Sequence, residues 1–381
     1  MIKNPAFFFS SIWLITLWLY VQYFAIVLEP LKIKTIVLIL FSILFFSLSF
    51  LLLIHFRDKE KKILYQNGGS SHKVNILFRF WLLFSCIECL IFHSFPIFSI
   101  WGMGGRYTEW GIPSLHGLLN AIIMAISNIL FYRYLIYKQR LILLLFILCL
   151  CWPIMLLTRQ MLISMIIQAG LIYIYIHKIT IFKVFKFFSI SLLVIILFGI
   201  LGDLRSGIGS IEYVAGISDN YPSFLPSGFI WAYVYITSPL SNLNHNIDLY
   251  SDFNFEPSLA FINLLPSIIR SKLVPSPGGM DFSLVNDNLN VSTMYPQYLG
   301  AFGYYGTLFF CLLYGCIILF IYVKFLTNGN AKWLFMTSVL THNLMLSIFV
   351  DCNLKSVFVF QVLIHYYIGT SFSLKRRYEK C

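Results

Sequence analysis

Apolar residues run along this chain in long blocks separated by short polar clusters. Ten blocks read as membrane-crossing helices: near Ala6–Leu28, Thr35–Phe56, Ile76–Ile100, Pro113–Tyr137, Leu141–Leu157, Met161–Ile176, Phe187–Gly202, Pro296–Val323, Trp333–Val350 and Ser356–Leu374. A helix needs about 20 residues to cross the hydrocarbon core, so ten crossings use about 200 residues and leave the remainder for loops. Lys3 precedes an apolar run too long for a cleavable signal and suited to an uncleaved first span. The blocks divide the chain into residues 1–202 with seven spans, a large loop at 203–295, and residues 296–381 with three spans and a basic tail. No internal repeat is visible, which weakens transporters built from duplicated halves.

Composition sharpens this picture. Hydrophobic residues make up 59% of the 381 and charged residues 11%, with a mean hydropathy of +0.82. A soluble domain carries about 25% charged residues, so an ordinary soluble enzyme is excluded and an all-α, polytopic membrane protein is expected. The net charge of +12 therefore calls for no nucleic acid, because Lys and Arg collect in cytoplasmic loops. With the N-terminus inside, nineteen of the 27 basic residues lie on the inner side. The outer side keeps Lys32, Lys34, Arg106, Arg159, Arg205, Arg270, Lys272 and Lys355. Both termini are thus expected in the cytoplasm. The cysteines lie mostly in apolar blocks; Cys86 and Cys89 have a CxxC spacing with no second pair, which favours small buried apolar residues over a metal or redox site.

The outer loop from Asp203 to Tyr295 holds eight of the fifteen acids and only three bases, and is rich in Ser, Asn, Gly and Pro. Loops this long in a compact protein are usually functional. Phe224–Leu240 is apolar but interrupted by Pro226 and Gly228, and Ala260–Ile269 is too short to cross. Both read as interfacial or re-entrant helices.

The outer cations are the candidate chemistry. Arg159 stands in a tight turn at the start of the sixth span, where free amide N–H groups and the helix dipole favour an anion. Gly170, eleven residues on, falls under it on the same helix face and leaves room for a lipid tail or a close helix. Arg205 follows the seventh span, near Asp203, with which it could simply pair; Gly207 and Gly209 break any straight helix there. Arg270 and Lys272 close an apolar stretch as a third arm or as the basic end of a surface helix. Since Arg offers a planar bidentate fork to phosphate, these residues suggest a dispersed pyrophosphate site.

Four stretches then acquire meaning together: Thr158-Arg159; Gly202-Asp203-Leu204-Arg205; Tyr235-Ile236-Thr237-Ser238-Pro239-Leu240-Ser241-Asn242-Leu243; and Asn290-Val291-Ser292-Thr293-Met294-Tyr295 leading into Phe302-Gly303-Tyr304-Tyr305-Gly306. In order and spacing, over nearly the whole chain, they resemble the bacterial oligosaccharide repeat-unit polymerases, the O-antigen polymerase (Wzy) family. The resemblance implies a GT-C-like helical fold in the bacterial inner membrane. It implies polymerisation of undecaprenyl-pyrophosphate-linked repeat units at the periplasmic face. It also implies a chain-length regulator protein as partner, no nucleic acid and no cofactor. The related ligases carry a loop His where this chain has Ser292-Thr293, which weakens a ligase reading.

The transfer needs charge stabilisation for the leaving pyrophosphate, which Arg can give, and a base for the acceptor hydroxyl. His245, the only His in the large loop, is the first candidate base and Asp203 its rival. Thr293 and Tyr295 are candidate sugar-binding residues. Glu88 is an intramembrane carboxylate suited to helix pairing. No metal site is expected, because the first outer loop has Glu29 but no acidic pair. The rival readings are a lipid-linked oligosaccharide flippase or other transporter, which should carry charges along a central cavity, and a membrane acyltransferase, for which His342 beside Asn343 is a faint signal.

Overall fold

Runs of Leu, Ile, Phe and Ala without internal Gly or Pro favour helices, and every expected block holds one. The computed structural model describes residues 3–54, 62–65, 72–101, 109–177, 180–218, 220–222, 224–273, 282–328, 330–369 and 374–377. Its helices are α1 (Pro5–Tyr20), α2 (Ile33–Ile54), α3 (His72–Phe92), α4 (Leu115–Tyr137), α5 (Arg140–Met155), α6 (Arg159–Ile176) and α7 (Ile181–Ser206). There follow α8 (Ser210–Ala215), α9 (Ser227–Asn246), α10 (Pro257–Phe261), α11 (Ser267–Leu273), α12 (Tyr295–Thr327), α13 (Ala331–Met345) and α14 (Ser356–Gly369). Asn4 caps α1 by accepting from the Ala6 N–H, with Pro5 in the first turn. One short antiparallel pair, β1 (Lys62–Tyr65) with β2 (Leu374–Arg377), interrupts the helical picture. The last helix is described to Gly369, and the expected span end at Leu374 falls instead in β2.

Four helical stretches are long and apolar enough to cross a membrane: His72–Ser99, Leu115–Tyr137, Arg159–Ile176 and Tyr295–Thr327. Pro5–Tyr20, Ile33–Leu48, Arg140–Met155 and Ser356–Gly369 are shorter apolar helices. The first span ends at Tyr20, well before Leu28, because the chain turns back there: Ala25 bridges Ile217, and Ile26 N–H donates to Gly216 O. Large apolar side chains such as Trp18, Leu44, Leu83, Leu148, Ile166 and Phe320 stand exposed on helix faces. Such faces suit lipid contact and would aggregate in water. Cys86, Cys151 and Cys316 share this exposed surface, while Cys149, Cys311 and Cys352 are buried.

The interior is centred on α4 and α13, which are buried along most of their lengths. It carries a seam of neutral polar groups. Asn128 donates to Gln168, Gln168 and Gln361 exchange bonds of 3.2 and 2.6 Å, and Asn128 lies 3.2 Å from His365. Polar side chains of this kind fasten helices inside a membrane.

Contacts between segments sort their ends into two sets. Lys3 donates to Tyr175 O, Lys73 to Tyr367 O, and β1 pairs with β2. At the opposite ends of α1, α6 and α14, Glu29 meets His245 of α9 and Gln160 meets Cys352. Alternate crossing of a layer would produce this sorting.

The helix expected at Phe224–Leu240 of the large loop is part of α9, 20 residues long, buried along most of one side and packed on α7 and α1. Glycines make this possible: a Cβ at Gly199 would lie 2.1 Å from Gly228 Cα, and one at Gly202 would lie 2.5 Å from the Trp231 ring. Pro226 stands as the cap before α9 and Gly228 lies in its first turn, so neither breaks the helix. Ala260–Ile269, expected as one short helix, is divided among three short helical pieces.

Candidate functional site at the polar end of the bundle

The Asn-rich end of α9 looks like a solvated loop in sequence and is a fastening hub in space. Asn242 donates to Leu289 O and Val291 O and accepts from Val285 N–H. Asn246 binds Ser283 in the same manner. Asn244 accepts from Lys32 N–H and Thr35 Oγ1 and donates to Pro30 O. All three side chains are fully buried, so each of these bonds replaces water and is costly to lose. The hub joins the first outer loop to the large one.

That junction presents His245. Its Nδ1 lies 2.7 Å from Glu29 Oε1, with the two side chains 38% and 40% exposed. Tyr20 OH donates to Glu29 O, and Lys32 Nζ donates to His245 O while pairing with Asp248 at 2.8 Å. Among the described residues, His245 Nε2 has no hydrogen-bond partner. The carboxylate thus holds one ring nitrogen and leaves the other to the surface. Glu29 was visible in sequence only as a single acid in a short loop, 216 positions from its partner.

The Phe302-Gly303 motif has a structural role at the same end. Gly303 has φ +66° and breaks α12; a Cβ there would meet the Phe253–Asn254 backbone at 2.7–2.8 Å. Residues 251–256 run through the break, with Tyr304 N–H donating to Ser251 O and Glu256 N–H to Ala301 O. Tyr304 OH reaches Lys34 O, so the kink also anchors the first outer loop.

The expected cation clamp is distributed. Arg159 is exposed at the first position of α6 and makes no hydrogen bond or ion pair among the described residues. The turn before it is tight, with Leu157 at φ +55°. A Cβ on Gly170 would meet nothing within 4 Å, so open space rather than a close helix lies beside it. Arg270 donates to Asn263 Oδ1 and lines a cavity of about 160 Å³ with Ser114, Ser267, Ser356 and Phe360. Lys272 is exposed beside it on α11. Arg205 closes α7, and its side chain lies outside the described ones.

Other expected residues are occupied inside the protein. Asp203 accepts from Ser227 Oγ at 2.5 Å and Trp231 Nε1 at 2.9 Å, so both carboxylate oxygens fasten α7 to α9. Tyr295 is fully buried with its ring 5.4 Å from Trp13, and Thr293 is 5% exposed; both pack the start of α12 rather than line a sugar-accessible surface. Glu88 is fully buried on α3. It accepts from Ile112 N–H at 2.9 Å and lies 3.0 Å from His116 Nδ1, an inter-helix pair as expected.

Sequence reading passed over Asp351, in the turn between α13 and α14. It accepts from the Asn353 and Leu354 N–H groups, and burial pushes its carboxyl above the usual carboxylate range. No three His, Cys, Asp or Glu side chains gather as metal ligands among the described residues. No family model, curated protein or solved structure matches this chain.

Proposed function

We propose that the chain is a membrane glycosyltransferase that joins oligosaccharide repeat units carried on undecaprenyl pyrophosphate. In this reading ten helices cross the inner membrane, both termini are cytoplasmic, and the site faces the periplasm. The carrying observation is the presence, at one end of an apolar helical bundle, of a half-exposed His245 held by Glu29 and, separately, of an exposed Arg159 with no hydrogen bond or ion pair among the described residues. A glycosyl transfer from a pyrophosphate donor needs those two functions, a base for the acceptor hydroxyl and a cation for the leaving group. Arg159 sits where its charge opposes the α6 dipole, and a bound anion relieves that cost. The open space at Gly170 on the same helix offers room for a lipid tail. Arg205, Arg270 and Lys272 supply further positive charge for the diphosphate; Asp203 is assigned to holding α7 on α9.

The rival acyltransferase reading would use His342, which lies 3.0 Å from Asn343 and 3.5 Å from Gln168. That ring is fully buried, so an acyl donor could reach it only if helices part. A flippase would draw on the central seam, which is amide and imidazole rather than charged.

The test is turnover of a purified lipid-linked repeat unit by the protein in nanodiscs, with EDTA present. Polymer longer than one unit is expected, and Arg159→Ala should abolish it with Arg159→Lys restoring little. Failure of the wild-type protein to lengthen the unit, with or without Mg²⁺, would refute the reading.

A further inference from the structure

We propose that Glu29 is the positioning residue of this site: it fixes the proton of His245 on Nδ1 and so keeps the Nε2 lone pair directed at the acceptor sugar. The inference rests on the glycosyltransferase reading above.

The geometry carries it. A carboxylate oxygen 2.7 Å from Nδ1 is within the short range of charge-assisted bonds. An ionised carboxylate can only accept, so the shared proton sits on Nδ1, and in the neutral ring Nε2 is left as the acceptor nitrogen. Glu29 is itself held from behind. Tyr20 OH binds its backbone carbonyl, and Ser241, on the same α9 as His245, lies 3.4 Å from that hydroxyl. Ser241 also donates to Val27 O. The segment carrying the acid and the helix carrying the base are therefore fastened at three points, counting Asn244. Lys32 binds His245 O and so fixes the backbone of the ring. A loop and a helix end more than two hundred residues apart are joined around one imidazole whose second nitrogen has no partner among the described residues. A carboxylate on one nitrogen with the other open is the arrangement by which a base is held in one tautomer and its protonated form stabilised.

In the transfer, Nε2 takes the proton of the acceptor hydroxyl as that oxygen forms its bond to the donor's anomeric carbon. The bond from that carbon to the pyrophosphate oxygen breaks, its electron pair leaving with the lipid pyrophosphate. Glu29 remains ionised and balances the imidazolium until the proton passes to solvent.

The experiment combines kinetics with ¹⁵N spectroscopy on histidine-labelled full-length protein in nanodiscs, His245 being assigned by the signal lost in His245→Ala. Wild type should show the Nδ1–H tautomer without any substrate. Glu29→Gln, whose amide can donate to Nδ1, should disturb it. The same variant should lower kcat roughly ten- to a thousandfold with KM within about twofold, and Glu29→Asp should recover part of the rate. A wild-type Nε2–H tautomer, or full turnover in Glu29→Gln, would overturn the inference while leaving polymerisation intact. No turnover by wild type would instead remove the parent reading, and the base role with it.

Discussion

Two Glu–His pairs stand at the same end of this bundle, and they are built for different purposes. Glu88 and His116 join α3 to α4; Glu29 and His245 join the first outer loop to α9. In the first pair the carboxylate is fully buried, and its other oxygen is taken by the Ile112 N–H. The His116 ring lies against Trp110, which also packs on Phe95 and Trp152. In the second pair both side chains are about two-fifths exposed and one imidazole nitrogen is open. The distances differ little, 3.0 against 2.7 Å. Environment decides the role: the sealed pair stabilises helices and the open one can meet a substrate.

The largest expected effect tests that division directly. His245→Ala should reduce polymerisation by about 10²- to 10⁴-fold, the range for loss of a general base, without moving the thermal unfolding midpoint in nanodiscs. His116→Ala should do the reverse, lowering the midpoint and leaving the turnover of the folded fraction near that of wild type. Equal losses of turnover from both variants would dissolve the distinction.

Next in size is the stability difference between the two acids. Glu88→Ala removes the fully buried acceptor of the Ile112 N–H and the His116 ring, at a cost of about 1–3 kcal/mol for each partner left unsatisfied. Glu29→Ala opens a pair already reached by solvent, worth about 1 kcal/mol or less. Chemical unfolding of the two variants side by side should rank them in that order; a larger loss from Glu29→Ala would mean that the open pair is structural.

The contrast also explains how much could be read from the chain. Helices were legible because the blocks are long and uniformly apolar, and each one is present. Their ends were less so: Tyr20 stops α1 through a fold-back onto Gly216–Ser218, contacts some 190 residues away that no local pattern announces. Glu88 could be foreseen as an inter-helix partner because an acid inside an apolar block has few other uses. Glu29 could not be foreseen as the partner of His245, since both stand in polar stretches of sequence where an acid or a His is ordinary. The burial of the Asn run 242–246 was hidden for the same reason, since its tertiary hydrogen bonds reach residues far along the chain. Phe224–Leu240 was legible as a helix, but not its packing: Pro226 precedes the helix and Gly228 admits a neighbouring backbone. Tyr295 was offered to sugar on its motif alone, and burial against Trp13 gives it a packing role.

The smallest expected effect lies at Lys32 and separates positioning from stability within the open pair. Its ammonium meets Asp248 at 2.8 Å with side chains 35% and 58% exposed, so the ion pair contributes at most about 1 kcal/mol. Lys32→Ala should therefore leave the unfolding midpoint almost unchanged. The same ammonium also donates to His245 O at 3.2 Å, in the last turn of α9, and restrains the backbone that carries the ring. Losing that restraint should widen the angles sampled by the imidazole and lower kcat a few-fold, since positioning errors of small amplitude are costly in transfer reactions. Lys32→Met keeps most of the aliphatic stem without the charge and should behave like the Ala variant; Lys32→Arg keeps a donor and should recover most of the rate. Should Lys32→Met match wild type in kcat, the ring is held by Glu29 and the α9 backbone alone, and the open pair is more rigid than its exposure suggests.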